Sequence, residues 1–427
     1  MLIFKFGGAS VKDAEAVQNV ANILSQYKDE KVVVIISAMG KTTNALELVV
    51  ESYMSKSPDL IKYLNEVKSY HLSILEGLDF KSDHPVRNDI ENCFTEIEWV
   101  LEEEPSREYN FIYDQIVSQG EMMSTKIISA YLKAIGITNE WLDVRDVLQT
   151  NNRYRDAQVN WELSTRLMNE RIPNLQKRSN FIITQGFIGG TSENYTTTLG
   201  REGSDFTAAI FSYCLNATEM VVWKDVPGVL SADPKFSDEA VKLDEISYHD
   251  AIELTYYGAT VIHPKTIKPL ENKNIPLRVR SFKSPADKGT SIAAYASTKP
   301  LVPCFIFKTK QILLSISSKD FSFIAEESLS KIYHIFAELN IKINLMQNSA
   351  ITFSVCMDND PFKIPHLIER LKLDFHVLYN ENLRLITIRH YYPSTIEALL
   401  KGKEILLEQR SRHTAQLVLH EPEGLKK

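Results

Sequence analysis

A lysine and two glycines lie close together near the start of the chain. Lys5 lies near the end of a short apolar run, and Gly7 and Gly8 follow it in the stretch KFGGAS. Glycines let backbone N–H groups approach an anion closely, and the N-terminus of a following helix favours negative charge. Lys5 adds a point charge, so the stretch suits a phosphate group. A glycine turn between a strand and a helix is also a common packing device, and both interpretations stay open here.

A second glycine-rich stretch, TTTLGREGSDFTAAI, predicts an anion site at the start of a helix. Gly200 and Gly203 bracket Arg201, and Ser204 and Asp205 begin an apolar helix. Either Ser204 or Asp205 also suits a plain N-cap. Two glycines, a guanidinium and the amides of one helix start nevertheless form a suitable site for a carboxylate or a phosphate.

Other polar residues are also predicted to lie at strand ends or helix starts. Glu121 comes directly after Gly120 at a predicted helix start, and Lys224 and Asp225 end an apolar strand before a Pro-Gly turn. Ligands of open α/β sheets collect beyond the carboxyl ends of the strands, so we expect these groups to meet in one crevice. His263 precedes Pro264 and is more typical of a structural histidine than of a ligand.

The chemistry of this set is that of phosphoryl transfer. The sequence contains no G-x-S-x-G, no H-E-x-x-H and no cysteine next to a histidine, so it signals no nucleophile with its own base. Cations, glycines and hydroxyls are the groups that phosphoryl transfer needs, because most of its catalysis is positioning and charge stabilisation.

The elements that must position these groups alternate between strands and helices. Apolar runs bounded by glycines and small residues predict buried strands, and the stretch at 274–282 is expected to be the last of this unit. Helical spacing over 58–104 predicts inserted helices. The pattern indicates an α/β domain with a mainly parallel sheet. The predicted strands lie within 2–6, 31–40, 137–150, 179–190, 217–229 and 274–282.

The composition changes after about residue 292, and the stretch 296–303 is a predicted linker. A different pattern begins beyond it. Short strands and helices alternate in an order that repeats weakly, which is typical of an α+β domain. The strands are expected at 312–318, 341–347, 350–358, 383–390 and 414–421, and the helices near 325–339, 362–373 and 394–409.

Composition bounds the class of protein. A chain of 427 residues is too long for one ordinary core. Its net charge of -7 argues against binding to a nucleic-acid backbone, and it has no apolar run long enough to span a membrane and no signal-peptide pattern. The cysteines are scattered without a C-x-x-C pair, which predicts no zinc site or disulfide framework and fits a reducing cytoplasm. They are Cys93, Cys214, Cys304 and Cys356.

Taken in order, KFGGAS, GREGSDFTAA, WKDVPGVLSADP and GATVIHPKTI resemble the motifs of the aspartate kinases, in the amino acid kinase superfamily. The stretch LDVRDVLQTNNRYRDA (142–157) is also similar to a segment of that family. The resemblance covers the whole chain and includes a C-terminal pattern similar to paired ACT modules, which bind amino acids. It implies an αβα sandwich with a mainly parallel central sheet over 1–295, and a pair of interleaved α+β ACT units over 296–427.

The resemblance implies transfer of the γ-phosphoryl group of ATP to the β-carboxylate of L-aspartate, the entry to lysine, threonine and methionine synthesis. Mg²⁺ would come with ATP, held mainly by the phosphates. A homodimer or larger assembly is implied, with an amino-acid effector such as lysine or threonine at the ACT modules. No general base is required, because a β-carboxylate is already ionised at pH 7. No second nucleotide-binding domain follows, so a monofunctional enzyme is expected.

Motif positions that match the family imply roles for individual residues. Lys5 would neutralise charge on the transferring phosphoryl, the amides of Gly7 and Gly8 would lie at the phosphates, and Asp205 would organise Lys5. The implied aspartate-binding residues are Ser37, Thr43, Glu121 for the α-ammonium, Arg201 for the α-carboxylate, and Ser204. The implied nucleotide-binding residues are Lys224, Asp225, Leu230 and Lys235, and the implied effector-binding residues are Lys319, Phe321, Ser322, Ile343 and Asn344.

The chain departs from the family pattern at Ala9, Glu202, Lys224, Leu230 and Thr260. Glu202 replaces a glycine and puts an anion beside Arg201, and Asn344 stands where lysine-sensitive members often have Asp. Two alternatives therefore stay open: another amino acid kinase with a different acyl acceptor, and an amino-acid-sensing ACT protein with a weakened or inactive kinase domain.

Overall fold

The computed structural model describes residues 1–102, 108–237, 239–259, 262–295, 302–320, 322–400 and 403–420. The chain forms two compact units. The first comprises Met1–Val229, Asp244–Ile252 and Val261–Ala296, and the second comprises Leu230–Leu243, Glu253–Thr260 and Ser297–Lys427. None of the described helices is long and apolar enough to cross a membrane.

The first unit is built on an eight-stranded sheet in the order β3-β4-β2-β1-β7-β9-β10-β8. All of its pairs are parallel except β9 with β10. Strands β1 and β2 are almost wholly buried, as their largely apolar sequences predict, and β1 carries Lys5 within its apolar run. The strands are β1 (Leu2–Phe6), β2 (Val32–Ile36), β3 (Glu140–Leu142), β4 (Phe181–Gln185), β5 (Ile188–Gly190), β6 (Thr196–Thr198), β7 (Glu219–Lys224), β8 (Glu245–Ser247), β9 (Leu277–Ser281) and β10 (Thr290–Ala293), and β5 and β6 form a separate hairpin.

Helices follow most of these strands. Helix α1 begins where the Asp13 carboxylate accepts a hydrogen bond from the Ala16 N–H at 2.8 Å. Its apolar face, which includes Val17 and Leu24, is buried. The helices are α1 (Ala14–Ser25), α2 (Thr42–Met54), α3 (Leu60–Gly77), α4 (Pro85–Glu102), α5 (Tyr109–Val117), α6 (Gln119–Ala134), α7 (Trp161–Leu175), α8 (Gly203–Cys214), α9 (Tyr248–Tyr257) and α10 (Pro264–Asn272).

The predicted α/β order is confirmed, with one difference at its end. The strand within 274–282 is not the last of the sheet, because β10 follows β9 as an antiparallel neighbour and itself pairs with β8. Neither β8 nor β10 exceeds four residues, too short for periodicity to reveal them. His263 lies at the N-cap of α10, where its Nδ1 accepts a hydrogen bond from the Lys265 N–H at 3.1 Å, so it has the structural role expected of it.

The second unit contains a six-stranded antiparallel sheet in the order β12-β13-β11-β14-β16-β15. Apolar residues of α11 and α12 pack with Ile312, Leu314 and Ile316 of β11 in its largest core cluster. The elements are β11 (Cys304–Ser318), α11 (Glu326–Glu338), β12 (Ile343–Asn348), β13 (Thr352–Asp358), α12 (Lys363–Asp374), β14 (Phe375–Arg389), α13 (Pro393–Leu400), β15 (Ile405–Arg410) and β16 (Thr414–His420).

The helix expected near 394–409 is wrong in its second half. Helix α13 ends at Leu400, and residues 405–410 form β15, which pairs with β16. Backbone pairing with β16 satisfies the hydrogen bonds of this segment, so tertiary contacts override the local helical pattern. Strands β11 and β14 also begin earlier than their apolar runs predict. The predicted linker at 296–303 lies largely outside the described residues.

Candidate active site

Three elements of the first unit bring a lysine pair and a carboxylate together. Lys5 is on β1, Lys224 ends the neighbouring parallel strand β7, and Asp205 lies in the first turn of α8. The Lys5 Nζ lies 2.6 Å from Asp205 Oδ1, and the Lys224 Nζ lies 3.6 Å from Oδ2. Burial alone would raise the pKa of Asp205, but the two ammonium groups outweigh it and hold that pKa below its ordinary value.

The two glycines after Lys5 have different surroundings. A Cβ on Gly8 would lie 2.7 Å from the Gly40 carbonyl oxygen and 2.9 Å from that of Ala38, so the backbones pack too closely for a side chain. A Cβ on Gly7 would instead meet the Lys5 Nζ, at 3.4 Å. Close packing therefore requires a glycine at position 8, and Gly7 lies beside the ammonium group. A phosphate role for the amides of Gly7 and Gly8 stays a prediction.

Glu121 is a buried carboxylate near the start of α6. Its Oε1 accepts a hydrogen bond from the Ala38 N–H at 3.1 Å, and its buried Oε2 accepts none from the residues that the structure describes. Burial raises the pKa of Glu121 to about 8, against the smaller opposing effects of the Ala38 N–H and Lys5. A cationic group beside Oε2 would therefore stabilise the ionised carboxylate.

These residues line one cavity of 540 Å³, a volume typical of small-molecule sites. Eight of the predicted site residues share it: Lys5, Ser37, Thr43, Glu121, Arg201, Ser204, Asp205 and Lys224. Gly200 and Gly203 of the predicted anion site also line it, together with Glu202. Its other lining residues, to which no motif gave a role, are Tyr113, Arg155, Phe187 and Thr198. The cavity is thus lined by the Lys5 and Lys224 ammonium groups, the Arg201 guanidinium and the Glu121 carboxylate.

The remaining residues of the predicted nucleotide set lie elsewhere. Asp225 lines a neighbouring cavity of the first unit together with Ala9, Lys12 and Lys283. Leu230 and Lys235 belong to the second unit. A nucleotide role for Asp225, Leu230 and Lys235 stays a prediction.

The predicted effector residues lie at two ends of one sheet. Lys319 and Ser322 follow the end of β11, where Lys319 Nζ donates to the Leu373 carbonyl oxygen. Ile343 and Asn344 begin β12, and the Asn344 side chain is engaged by Lys308, Gln311 and Asp358. Phe321 lies outside the described residues.

Asp114 is a supporting residue to which no sequence motif points. It is fully buried on α5 and accepts hydrogen bonds from the Thr198 N–H, the Thr198 hydroxyl and the Arg155 N–H. Burial raises the pKa of Asp114 to about 6, although these hydrogen bonds oppose the shift. It joins two segments of the cavity wall that are far apart in sequence. A sequence motif does not reveal such a long-range partner.

The comparisons with known proteins agree with this fold. Residues 1–281 match the model of the amino acid kinase family, so the chain belongs to that family. Within it, the chain belongs with the aspartokinases: it is 31% identical to the lysine-sensitive aspartokinase 3 of Escherichia coli, over 84% of this chain and 78% of that protein.

Solved structures lead to the same group. The chain is similar to E. coli aspartokinase III in complex with lysine and aspartate, in the T state, with a TM-score of 0.84 and 28% identity over 98% of this chain and 95% of the other. It is also similar to the same enzyme with aspartate and ADP, in the R state, with a TM-score of 0.81 and 28% identity over 98% and 96%. The recognition of the family and the fold class expected from the sequence are thus confirmed.

Proposed function

We propose that the cavity of the first unit is the active site of an aspartate kinase, which phosphorylates the β-carboxylate of L-aspartate with ATP and forms 4-phospho-L-aspartate and ADP. This is the first step of lysine, threonine and methionine synthesis. The observation that carries the proposal is that Lys5, Glu121, Arg201 and Asp205 line one cavity. The aspartate and ADP bound by the related E. coli enzyme support it.

We assign the lining residues to two ends of the cavity, one for each substrate. Glu121 offers a buried carboxylate to the α-ammonium of aspartate, and Arg201 offers a guanidinium to its α-carboxylate, with Ser37, Thr43 and Ser204 beside them. At the other end, Lys5 and Lys224 stabilise the charge on the phosphoryl group, and Asp205 orients both ammonium groups. The attacking carboxylate is ionised at neutral pH, so the reaction needs no general base.

Mg²⁺ accompanies ATP in this proposal. Over the described ranges, no group of three or more His, Cys, Asp and Glu residues is placed to hold a metal ion. The carboxylate that lies nearest the phosphate end, Asp205, already pairs with two lysines. We therefore propose that the phosphate oxygens of ATP hold the ion, where it would neutralise charge on the transferring group.

The second unit is proposed to bind an amino-acid effector and to pair in a homodimer or larger assembly. The effector set is Lys319, Phe321, Ser322, Ile343 and Asn344. The lysine bound by the related E. coli enzyme supports an amino-acid effector. All four cysteines are free and buried, which suits a reducing cytoplasm.

A hydroxylamine trap tests the reaction directly. Incubation with saturating ATP–Mg²⁺ and L-aspartate should give aspartyl hydroxamate, whereas glutamate and N-acetylglutamate should give little product. Absence of the hydroxamate with aspartate would overturn the proposal, and product from another acceptor would favour a different amino acid kinase. The alternative of an inactive sensor is not favoured, since the cavity retains Lys5, Asp205 and Arg201 together.

Arg201→Ala gives a second test of the substrate assignment. The variant should raise the KM for aspartate by about a hundredfold, because it removes a charge-assisted contact to the α-carboxylate. Arg166 on α7, which does not line the cavity, is a suitable control position. An unchanged KM for aspartate in Arg201→Ala would contradict the contact between Arg201 and the α-carboxylate of aspartate.

A further inference from the structure

Arg155 also lines the cavity, and the proposed reaction gives this cation no role. Its guanidinium lies 4.4 Å from the centre of the Tyr113 ring and 5.4 Å from that of Tyr109. No carboxylate in the described part of the chain forms an ion pair with it. Stacking on aromatic faces holds a guanidinium in place and leaves its N–H edge free for an acceptor. Arg155 is therefore oriented, and its charge acts on the nearby Asp114 without a direct ion pair.

The backbone at Arg155 is fixed against the turn that carries Arg201. The Arg155 N–H and the Thr198 N–H both donate to Asp114 Oδ2, at 3.0 and 2.8 Å. Two residues after Thr198, a Cβ on Gly200 would lie 2.9 Å from the Arg155 carbonyl oxygen. Arg155 and Arg201 thus lie on two turns in direct contact, at the end of the cavity proposed to bind the amino acid.

Glu202, the next residue on the second turn, gives a reason for an additional cation. Its carboxylate lines the same cavity, and the buried Oε2 accepts no hydrogen bond within the described residues. Glu202 and Arg155 both have left-handed backbones, with φ of 53° and 66°. This conformation is unfavourable for residues with a side chain and collects at functional sites.

We propose that Arg155 is a specificity-determining residue that provides a second guanidinium for the carboxylates of the amino-acid substrate, beside Arg201. Its charge offsets that of Glu202, which would otherwise repel a dicarboxylate. The inference rests on the proposed function, because it takes the acceptor to be a dicarboxylic amino acid. It places Arg155 at the amino-acid end of the cavity and gives it no part in holding ATP.

Steady-state kinetics of Arg155→Met in the full-length protein test this assignment. The KM for aspartate should rise at least about fivefold, while kcat and the KM for ATP stay within about twofold. Arg155→Lys, which keeps the charge but loses the planar fork, should give an intermediate KM. An unchanged KM for aspartate, or an equal rise in the KM for ATP, would overturn the proposal.

Two further variants separate this role from a general effect of charge. Arg153→Met removes an exposed arginine two residues away that pairs with Asp156, and it should leave the KM for aspartate unchanged. A rise equal to that of Arg155→Met would count against a specific contact. Glu202→Gln should lower the KM for aspartate at least about twofold, and should restore the KM of Arg155→Met to within about threefold of the wild-type value. Failure of this rescue would refute the proposal that the charge of Arg155 offsets the charge of Glu202.

Binding and folding controls make each outcome interpretable. Thermal unfolding of every variant reports on stability, and calorimetric titration with aspartate reports on affinity without turnover. If Arg155→Met does not fold, Arg155→Lys and Tyr113→Leu, which removes the ring under the guanidinium, carry the same test. Wild-type activity reports on the reaction itself, whereas the ratio of variant to wild type reports on Arg155, so the two proposals fail in distinguishable ways.

Discussion

Lys5 and Asp205 form a buried ion pair with 2.6 Å between Nζ and Oδ1. The two residues are 200 positions apart in sequence, on β1 and at the start of α8. Lys224 approaches the other oxygen of the same carboxylate. One carboxylate thus orients the two cations at the proposed phosphate end of the cavity.

Asp205→Asn should lower kcat roughly a hundredfold, since both ammonium groups lose the anion that orients them. It should also lower the free energy of unfolding by about 3 kcal/mol, because a buried charge is left unpaired. Hydroxamate formation and chemical denaturation measure the two effects. Asp156→Asn, at an exposed carboxylate paired with Lys265, is the matched control and should change neither strongly.

The wild-type pair also predicts a pH dependence. The pKa of Asp205 is lowered in the folded protein, so its contribution to stability is present above the ordinary carboxyl pKa and is lost as the pH falls through the folded value. Acid unfolding of Asp205→Asn should lack this component. Parallel acid titrations of the two proteins would contradict the pairing.

Aspartate binding should release a proton from Glu121. The pKa of this carboxyl is about 8, so most of it is protonated in the free enzyme at pH 7, and a bound ammonium would favour the ionised form. The Kd for aspartate should therefore fall by up to about tenfold per pH unit as the pH rises toward 8. Calorimetry in two buffers with different ionisation enthalpies measures the proton. Equal heats in both buffers would contradict the prediction.

Glu121→Gln removes the titratable carboxyl and keeps a side chain of similar size, so it isolates the effect of the proton. The variant should bind aspartate more weakly and with no proton release. Because the folded pKa is raised, the contribution of Glu121 to stability without substrate should be fully present below the ordinary glutamate pKa and should decline as the pH rises to about 8. Glu121→Gln should lack that decline, and urea denaturation at pH 5 and pH 8.5 measures it.

Gly8→Ala should destabilise the first unit by about 2 kcal/mol, because the new Cβ meets two carbonyl oxygens that cannot move independently. Gly7→Ala is the matched control, since its Cβ would be at ordinary contact distance from the Lys5 Nζ. We expect Gly7→Ala to keep the wild-type stability. Equal melting temperatures for Gly8→Ala and the wild type would refute the packing role of Gly8.

Asn344→Ala should lower the free energy of unfolding of the second unit by about 1–2 kcal/mol. The Lys308 Nζ donates to Asn344 Oδ1 at 2.8 Å, and the amide group in turn donates to Gln311 and Asp358, so its removal leaves partly buried partners unsatisfied. Asn348→Ala on the same strand is the control, expected within about 0.5 kcal/mol of wild type. Thermal denaturation distinguishes them, and an equal effect at both positions would contradict this role.

The sequence predicted the strands and helices that carry the site because their signals are local. The apolar runs of β1, β2 and β7 and the glycines at Gly8 and Gly203 are readable in short windows. Six site residues were found through motifs that end strands or begin helices, and Ser37 and Thr43 came only from the family resemblance. The family resemblance, rather than periodicity, supplied their individual roles.

The rest depended on contacts between distant segments. Asp114, Arg155 and Thr198 meet only after folding, and nothing in the sequence near Asp114 distinguishes it from a surface aspartate. Strand β15 is likewise defined by its partner β16 and not by its own pattern. The pKa of Glu121 is set by burial, which no residue spacing reveals.

The position of β1 inside the sheet has a consequence for synthesis on the ribosome. Its neighbours are β2 and β7, which end at Ile36 and Lys224. In a nascent chain that ends before β7, one edge of the apolar strand β1 is unpaired, and such edges are prone to aggregate. Strand β1 is therefore made long before its second neighbour, and Lys5 meets both Asp205 and Lys224 only after β7 has been translated.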